Sequence, residues 1–270
     1  MEDFISYAQF EEDLIIYNLL KDEVKDNEKY YVDIGANDPI CDSVTKNFYL
    51  NGWKGINVEP IPTLHEKLKK DRPQDENLCC GVSNKNGNLN FYECIKVPGN
   101  STFNKNVFEK LSSQGLNFKE QIVPIKTLTD IYKESSFFNK EIPFCKIDVE
   151  GLEKEVIDGI DFDEFHPWLF VIESTFPNTN NPTFSTWEKI LLNGSENIKY
   201  VFALQEGINR YYIRSDKINL KRNILPLDEL NNKYNVFKVL NIKSYPYKIG
   251  KLFVKIGYPF YKFYTKIRKN

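Results

Sequence analysis

The chain has 270 residues, of which 41% are hydrophobic and 27% charged, and this balance argues against a disordered protein. At this length we expect one large domain, or one domain with an appendage. No apolar run reaches the roughly 18 residues of a transmembrane helix, and the acidic N-terminus carries no signal-peptide pattern. Five cysteines without a CxxC spacing or a Cys/His cluster give no indication of a zinc site and fit a reducing compartment, so we expect a cytoplasmic protein.

Predicted strands and helices alternate along most of the chain. In chain order, the pattern predicts helix 4–20, strand 30–34, helix 43–51, strand 54–59, helix 62–70, strands 77–82 and 88–94, helix 127–138, strand 143–148, helix 152–160, strand 168–173, helix 184–192 and strands 200–204 and 210–214. An Asn-Gly turn between 77–82 and 88–94 indicates a hairpin. Residues 96–122 are rich in Asn, Ser, Lys and Gly, and we interpret them as a long loop or lid.

Two of these strands, 143–148 and 168–173, are apolar almost throughout, which is typical of parallel sheets covered by helices on both faces. The connections between strands are long enough for right-handed crossovers. The sequence therefore predicts an α/β fold built on a doubly wound, mostly parallel sheet, with a hairpin as its last two strands. We expect one domain over 1–240 and a separate basic tail over 241–270.

Acidic side chains stand at the carboxyl ends of the predicted strands, where ligands bind in such sheets. One strand runs into Asp33-Ile34-Gly35-Ala36-Asn37, and the next ends at Glu59, 24 residues after Gly35. Gly35 lets the backbone approach a ligand closely, and Glu59 can accept hydrogen bonds from both hydroxyl groups of a ribose. Because neither GxGxxG nor a Walker A sequence is present to hold a pyrophosphate, the residues favour S-adenosylmethionine, whose ribose accompanies an ammonium and a sulfonium cation.

Six segments in this order and spacing resemble the FkbM family of S-adenosylmethionine-dependent methyltransferases, over about residues 4–216. They are SYAQFEED (6–13), YVDIGANDP (31–39), GWKGINVEP (52–60), KIDVEG (146–151), VIE (171–173) and GINRYY (207–212). The resemblance implies a class I methyltransferase fold with a seven-stranded sheet and a reversed final hairpin. Many members of the family are thought to methylate hydroxyl groups of sugars or glycan precursors, and others act on natural products.

The resemblance also implies roles for individual residues. Asp33, Gly35 and Asn37 would line the cofactor, Glu59 would hold its ribose, and Asp148 would lie beside the methyl donor. Gln9 and Asp13, on the N-terminal helix, would close the cofactor pocket. The chain departs from the family's more frequent residues at two positions, with Glu11 in place of glycine and Glu206 in place of aspartate.

Methyl transfer requires alignment of donor and acceptor and removal of a proton from the acceptor hydroxyl. Asp148 and Glu173 come at the ends of neighbouring predicted strands and are our candidate catalytic residues. We expect Asp148 to face the cofactor and to be a candidate base. Glu173 either binds the acceptor or acts as base, or else forms a structural salt bridge. Glu150 either contacts the acceptor or caps the helix that begins at Gly151.

Asn209, Arg210 and Tyr211 open the last predicted strand and have two interpretations. They either reach the acceptor, or form a hairpin turn with a salt bridge. Magnesium is a weaker alternative at the acidic strand ends. Asp148 and Glu173 offer hard oxygen ligands, and some related sugar methyltransferases use magnesium, but two carboxylates are few, so we expect no metal.

The last 41 residues, 230–270, carry ten cations and no acid, although the whole chain has a net charge of −2. On a helix, the lysines of 246–269 fall on one face and aromatic and aliphatic residues on much of the rest. This pattern is consistent with a helix packed on the body or across a homodimer, with docking at the inner face of a membrane, or with nucleic-acid binding, which we consider the weakest of the three.

The leading interpretation is therefore an O-methyltransferase acting on a small-molecule or glycan acceptor. Methylation of nucleic acid or of another small molecule is an alternative. Enzymes that methylate amino groups of nucleic acids carry an Asp/Asn-Pro-Pro-aromatic motif after the corresponding strand. This chain has Asp148-Val149-Glu150-Gly151 there instead, which argues against this alternative. A non-catalytic S-adenosylmethionine-binding module is the alternative from another class, and the acids retained at the strand ends argue against it.

Overall fold

The computed structural model describes residues 2–239. Its strands are β1 (Glu2–Ser6), β2 (Tyr30–Ile34), β3 (Lys54–Val58), β4 (Glu76–Leu78), β5 (Gly81–Val82), β6 (Gly87–Cys94), β7 (Phe118–Lys126), β8 (Phe144–Ile147), β9 (Leu169–Glu173), β10 (Tyr200–Glu206), β11 (Asn209–Arg214) and β12 (Tyr234–Lys238). Its α-helices are α1 (Glu12–Leu20), α2 (Lys46–Leu50), α3 (Pro62–Asp71), α4 (Lys105–Ser113), α5 (Leu128–Glu134), α6 (Glu153–Asp158), α7 (Glu188–Asn193) and α8 (Leu227–Lys233).

Seven strands form the main sheet, in the order β10-β11-β9-β8-β2-β3-β4. The pairs from β9 to β4 are parallel, and β11 is antiparallel to both of its neighbours. The sheet is therefore mostly parallel, and one reversed strand, joined to β10 by a hairpin, lies next to its edge. The alternation of strands and helices predicted from the sequence is confirmed.

Alternate residues of the central strands pack into two different hydrophobic cores, one on each face of the sheet. On β2, Val32 and Ile34 belong to a core completed by α5, α6 and α7, whereas Tyr31 belongs to a core completed by α1, α2 and α8. A strand with apolar residues on both faces must be covered twice. The helices therefore leave only the ends of the strands open to a ligand.

The predicted hairpin of 77–82 with 88–94 is wrong. Residues 76–78 pair with β3 in the main sheet, while β5 pairs with β7 in a separate three-stranded sheet of order β5-β7-β6. β6 pairs antiparallel with β7 along its whole length, from Gly87 opposite Ile125 to Cys94 opposite Phe118. The Asn-Gly turn thus leads into a pairing with a strand more than twenty residues further on, which local turn signals do not reveal.

The segment 96–122 is not a loop, although its composition predicts one. It contains α4 and the first half of β7. Asn104 caps α4, because its side-chain oxygen accepts hydrogen bonds from the backbone N–H groups of Asn106 and Val107. Val107 and Leu111, four residues apart, are buried and fix the helix to the body. Phe108 also stacks on Tyr92, so three apolar residues make this otherwise polar helix amphipathic.

The predicted helix 4–20 is correct only in its second part. Residues 2–6 form β1, which pairs in parallel with β12, and Phe4 lies opposite Val236. Helix α1 begins at Glu12, after Glu11 takes a left-handed conformation with φ of 61°. The first segment is a strand because it pairs with β12. That partner lies more than two hundred residues away in sequence, so no local pattern could predict the pairing.

No helix in the described range 2–239 has the length and apolar character needed to cross a bilayer. The basic tail 241–270, including 246–269, lies outside the described residues, so the interpretations of the tail remain predictions.

Candidate active site

The turn after β2 touches the turn after β8, and Gly35 makes this contact possible. Gly35 has a φ of 78°, and a Cβ atom at this position would lie 1.8 Å from the backbone oxygen of Asp148. The backbone N–H of Asp148 donates to the carbonyl of Ile34 at 3.0 Å, and that of Gly35 donates to the carbonyl of Val58 at 3.0 Å. A residue with a side chain fits neither the conformation nor the space. The ends of β2, β3 and β8 are therefore locked together.

Lys146 lies at the centre of this contact, and its role was not predicted. Its ammonium nitrogen is 2.8 Å from the carbonyl oxygen of Gly35, 3.5 Å from Asp33 Oδ1 and 3.3 Å from Asp148 Oδ2. Burial lowers the pKa of Lys146, but Asp148 and Asp33 raise it, and the net effect is a pKa above the ordinary value. The residue is therefore a buried, permanently charged clamp. One signal for it was present in the sequence, since it is the only charged residue of β8.

Asp33 is buried in a polar network and does not line the cleft between the strand ends. Its Oδ2 accepts a hydrogen bond of 2.6 Å from Thr45, and only 1% of Asp33 is exposed. Arg72 in turn donates to the hydroxyl group of Thr45. Asp33 is not among the residues that line the cleft, so its contact with the cofactor stays a prediction. Asp33 instead supports the turn that carries Gly35.

Glu59 and Asn37 do line the cleft. Glu59 Oε2 accepts from the backbone N–H of Asn37 at 2.9 Å, and Oε1 accepts from that of Ile61 at 2.8 Å. Asn37 takes a left-handed conformation, with φ of 52°, to direct its N–H at this carboxylate. Two bonds leave about two of the roughly four acceptor positions of the carboxylate free. Burial raises the pKa of Glu59 to about 7.

The cleft is bounded on one side by the ends of β2, β3 and β8 and on the other by the segment that was predicted as a lid. Its lining residues include Gly35, Asn37, Glu59, Pro98, Gly99, Ser101, Phe103, Asp148 and Glu150. Thr102 donates to the carbonyl of Glu150 and Asn104 to that of Gly151, both at 2.8 Å. The segment is thus fixed to the turn after β8, and it covers the cleft as a folded element rather than as a loop.

Three carboxylates converge at the ends of β8 and β9. One oxygen from each of Asp148, Glu150 and Glu173 lies within 4.8 Å of the others. Glu173 is 5% exposed, and its Oε2 is buried without a hydrogen-bond partner among the described residues. Burial, and then the charges of Asp148 and Glu150, raise the pKa of Glu173 well above its ordinary value. The predicted proximity of Asp148 and Glu173 is confirmed, whereas a salt bridge of Glu173 is not observed.

Glu153, rather than Glu150, accepts the backbone hydrogen bonds that precede α6. Its Oε1 accepts from the N–H groups of Val149 at 3.2 Å and Gly151 at 3.1 Å. Burial raises the pKa of Glu153 to about 7. The capping alternative for Glu150 is therefore wrong, and its side chain is left to join Asp148 and Glu173. Glu153, the first residue of α6, thus stabilises the turn that precedes the helix.

On the N-terminal turn, Glu12 is the residue that contacts the strand beside the acidic cluster, whereas the family resemblance implied that Gln9 and Asp13 close the cofactor pocket. Glu12 accepts from the side chain of Asn209 at 2.8 Å, and Asn209 lies opposite Glu173 in the β9–β11 pairing. Asp13 is fully buried and accepts hydrogen bonds from Ser6, Tyr7 and Leu14, so it stabilises the turn between β1 and α1. Gln9 is exposed and is not among the residues that line the cleft.

Arg210 and Tyr211 are committed to packing. Arg210 donates to Tyr212, Gln205 and Glu188. Its guanidinium carbon also lies 3.8 Å from the centre of the Phe184 ring. Tyr211 is 0% exposed. Of the three residues predicted to reach the acceptor, only Asn209 comes near the acidic cluster, and it does so through Glu12.

Comparison with known proteins places the chain in a family. The α/β sheet with one reversed strand next to its edge is the arrangement expected of class I methyltransferases, and the family model of the methyltransferase FkbM domain matches residues 33–202. This match covers more than half of the 270 residues. The chain therefore belongs to the FkbM family of S-adenosylmethionine-dependent methyltransferases.

One curated relative is methyltransferase sdnD of Sordaria araneosa, 28% identical over 184 residues, which cover 59% of this chain and 66% of the relative. The matched part thus spans just under two thirds of that protein. Among solved structures, the delta-N METTL16 MTase domain has a TM-score of 0.36 and 14% identity, covering 74% of this chain and 78% of that one. The N-terminal domain of human METTL16 in complex with SAH has a TM-score of 0.33 and 16% identity, and the match covers 74% of this chain and 66% of that chain.

Proposed function

We propose that the chain is an S-adenosylmethionine-dependent O-methyltransferase whose acceptor is a hydroxyl group of a sugar or glycan precursor. The observation that carries this proposal is the continuity of two features at one end of the sheet. A cleft with a ribose-type carboxylate, Glu59, adjoins a cluster of three carboxylates with an unpaired buried oxygen on Glu173.

The residues of the cleft fit the cofactor. Gly35 lines the cleft, and its lack of a side chain lets the turns after β2 and β8 meet beside it. Glu59 retains acceptor positions for two ribose hydroxyl groups beside Asn37. Asp148 and Glu150 place negative charge at the same cleft, which favours a ligand with ammonium and sulfonium groups. When bound, S-adenosylmethionine supplies an electrophilic methyl group.

The acidic cluster suits an acceptor with several hydroxyl groups, because ionised carboxylates accept hydrogen bonds from O–H donors. In the proposed reaction the acceptor oxygen forms a bond to the methyl carbon while the carbon–sulfur bond breaks. The hydroxyl proton passes to a carboxylate of the cluster, so the products are a methyl ether, S-adenosylhomocysteine and a proton. Asp148 and Glu173 are the candidate bases, and Lys146 holds Asp148 in position.

The test uses the full chain in two steps. Titration calorimetry with S-adenosylmethionine and with S-adenosylhomocysteine measures cofactor binding. A panel of nucleotide-activated sugars is then incubated with the methyl-labelled cofactor, and labelled products are identified by mass spectrometry. A labelled sugar supports the proposal. Cofactor binding with label found only in nucleic acid or another small molecule overturns the choice of acceptor, and a chain that binds neither cofactor form overturns the assignment of the cleft.

A further inference from the structure

The three carboxylates at the ends of β8 and β9 have the chemistry and spacing of a cation site. Ca²⁺ and Mg²⁺ bind oxygen ligands at about 2.0–2.6 Å, so the ligand oxygens of one ion lie no more than roughly 5 Å apart. The oxygens of Asp148, Glu150 and Glu173 lie within 4.8 Å of one another. Glu150, which lies in a left-handed turn with φ of 54°, adds a third ligand to the two that the sequence suggested.

A second observation points to a ligand inside this cluster. Glu173 is more than nine-tenths buried, yet its Oε2 has no hydrogen-bond partner among the described residues. A buried acceptor without a partner costs about 1–3 kcal/mol, and more if it is charged. The neighbours that face it are Asp148 and Glu150, so either a proton shared between the Glu173 and Asp148 carboxyl groups or a cation must lie between these acids.

The charge balance of the surrounding residues leads in the same direction. Five acids here are linked by charge interactions with one another, Glu12, Asp148, Glu150, Glu153 and Glu173, and Asp33 acts on Lys146 beside them. Within residues 2–239, the basic side chain that acts on this group is Lys146, and its ammonium group is already shared between Asp33 and Asp148. S-adenosylmethionine carries one net positive charge. Lys146 and the cofactor would not neutralise these acids if all of them were ionised, so the ionised cluster requires either protons or a further cation.

We propose that Asp148, Glu150 and Glu173 bind one divalent cation, Mg²⁺ or Mn²⁺, through carboxylate oxygens. The cation gives Glu173 Oε2 a binding partner. Its remaining coordination positions are open to hydroxyl oxygens of the acceptor. This second step rests on the proposed function, whereas the binding of the cation does not. A carboxylate that binds the ion through one oxygen keeps the other to accept a proton.

The experiment is a titration of the full chain with MnCl₂, in which electron paramagnetic resonance measures free Mn²⁺, and MgCl₂ is added as competitor. We expect one saturable Mn²⁺ site, from which added Mg²⁺ displaces the Mn²⁺. Glu173→Gln removes a charge and keeps the shape of the side chain, so it should weaken Mn²⁺ binding by at least about tenfold. Glu196→Gln is the matched control, because Glu196 is exposed and lies outside the cluster, and it should bind Mn²⁺ as the unmodified chain does.

The less buried Glu150→Gln is the second variant, with the same expected loss, in case Glu173→Gln does not fold by circular dichroism. The inference is overturned if the unmodified chain shows no saturable Mn²⁺ or Mg²⁺ binding at millimolar concentrations, or if the folded cluster variants bind as tightly as Glu196→Gln. Calorimetry with S-adenosylmethionine separates the two proposals. Cofactor binding without cation binding rejects the cation site alone, and cation binding without cofactor binding rejects the methyltransferase assignment alone.

Discussion

The ammonium nitrogen of Lys146 lies 2.8 Å from the carbonyl oxygen of Gly35, so a strand residue fixes the turn of the neighbouring strand. The same nitrogen lies between Asp33 and Asp148. Asp33 and Lys146 are also opposite each other in the parallel pairing of β2 and β8. This one cation therefore fixes the backbone of the proposed cofactor cleft at Gly35 and the position of Asp148, which lines the same cleft.

Replacing Lys146 with methionine keeps the length of the side chain and removes its charge. We expect a loss of about 3–5 kcal/mol in the free energy of unfolding, because the variant leaves buried acids without their cation. Urea unfolding followed by circular dichroism measures the loss. The double variant Asp33→Asn with Lys146→Met should recover part of it, since the uncompensated buried charge is gone. If the two single losses simply add, Asp33 and Lys146 are not coupled.

Gly35→Ala should be far more damaging than Gly52→Ala. The two glycines have nearly the same φ, 78° and 82°, but a Cβ at Gly35 meets Asp148 O at 1.8 Å, while a Cβ at Gly52 has no atom within 4 Å. Gly52→Ala should cost about 1–2 kcal/mol of backbone strain. Gly35→Ala must also separate the turns after β2 and β8, and we expect loss of cofactor binding by calorimetry. Similar stability and cofactor affinity in the two variants would contradict the proposed close contact.

Glu59→Gln should weaken S-adenosylmethionine binding by about 10- to 100-fold, which corresponds to roughly 1.4–2.7 kcal/mol. The amide cannot accept hydrogen bonds at both ends from backbone N–H groups and ribose hydroxyls, as the carboxylate can. Calorimetry on the full chain measures the change. Glu66→Gln, on the exposed side of α3, is the control and should bind as the unmodified chain does. An unchanged affinity in Glu59→Gln would remove Glu59 from the cofactor site.

Asp13 should make the protein less stable as the pH rises from about 4 to 7. Burial raises the pKa of Asp13 from an ordinary value of 3.8 to about 7 in the folded chain. Between these values the folded state binds more protons than the unfolded state, so the free energy of unfolding falls with pH, by up to about 1.4 kcal/mol per pH unit. Asp13→Asn should reduce this slope in urea unfolding series at several pH values. The exposed Asp22→Asn should keep it, and equal slopes in both variants would refute the prediction.

The cleft at the ends of β2 and β3 could largely be predicted from the sequence because its signals are local. Asp33, Gly35 and Asn37 lie within five residues, and the strand that carries Glu59 is the next in both sequence and space. The placement of Asp148 beside Glu173 followed from the rule that parallel strands end at the same edge. What a residue does there was harder to predict, since Asp33 faces a buried hydroxyl group of Thr45 and not the cleft.

The features that could not be predicted depend on contacts between distant parts of the chain. Glu12 is held beside β11 because Asn209, 197 residues away, donates a hydrogen bond to it. The small sheet exists because β6 finds β7, and β1 is a strand because β12 lies beside it. A hydrophobic pattern describes which face of an element is buried, but it does not identify the partner. Arg210 shows the opposite error, because a residue expected to bind the acceptor is instead held by Glu188 and by two aromatic rings.

The parallel pairing of β1 with β12 joins the first and last strands of the described residues to each other. Asn231 donates to Glu11 at 3.1 Å and Lys238 lies 2.6 Å from the same carboxylate, so the last elements grip the residue next to Glu12. A protease nick between α8 and β12 would therefore do more than shorten the chain. It would loosen the contacts that hold the turn with Glu11 and Glu12. A break far from the acidic cluster would thereby weaken the hydrogen bond between Glu12 and Asn209.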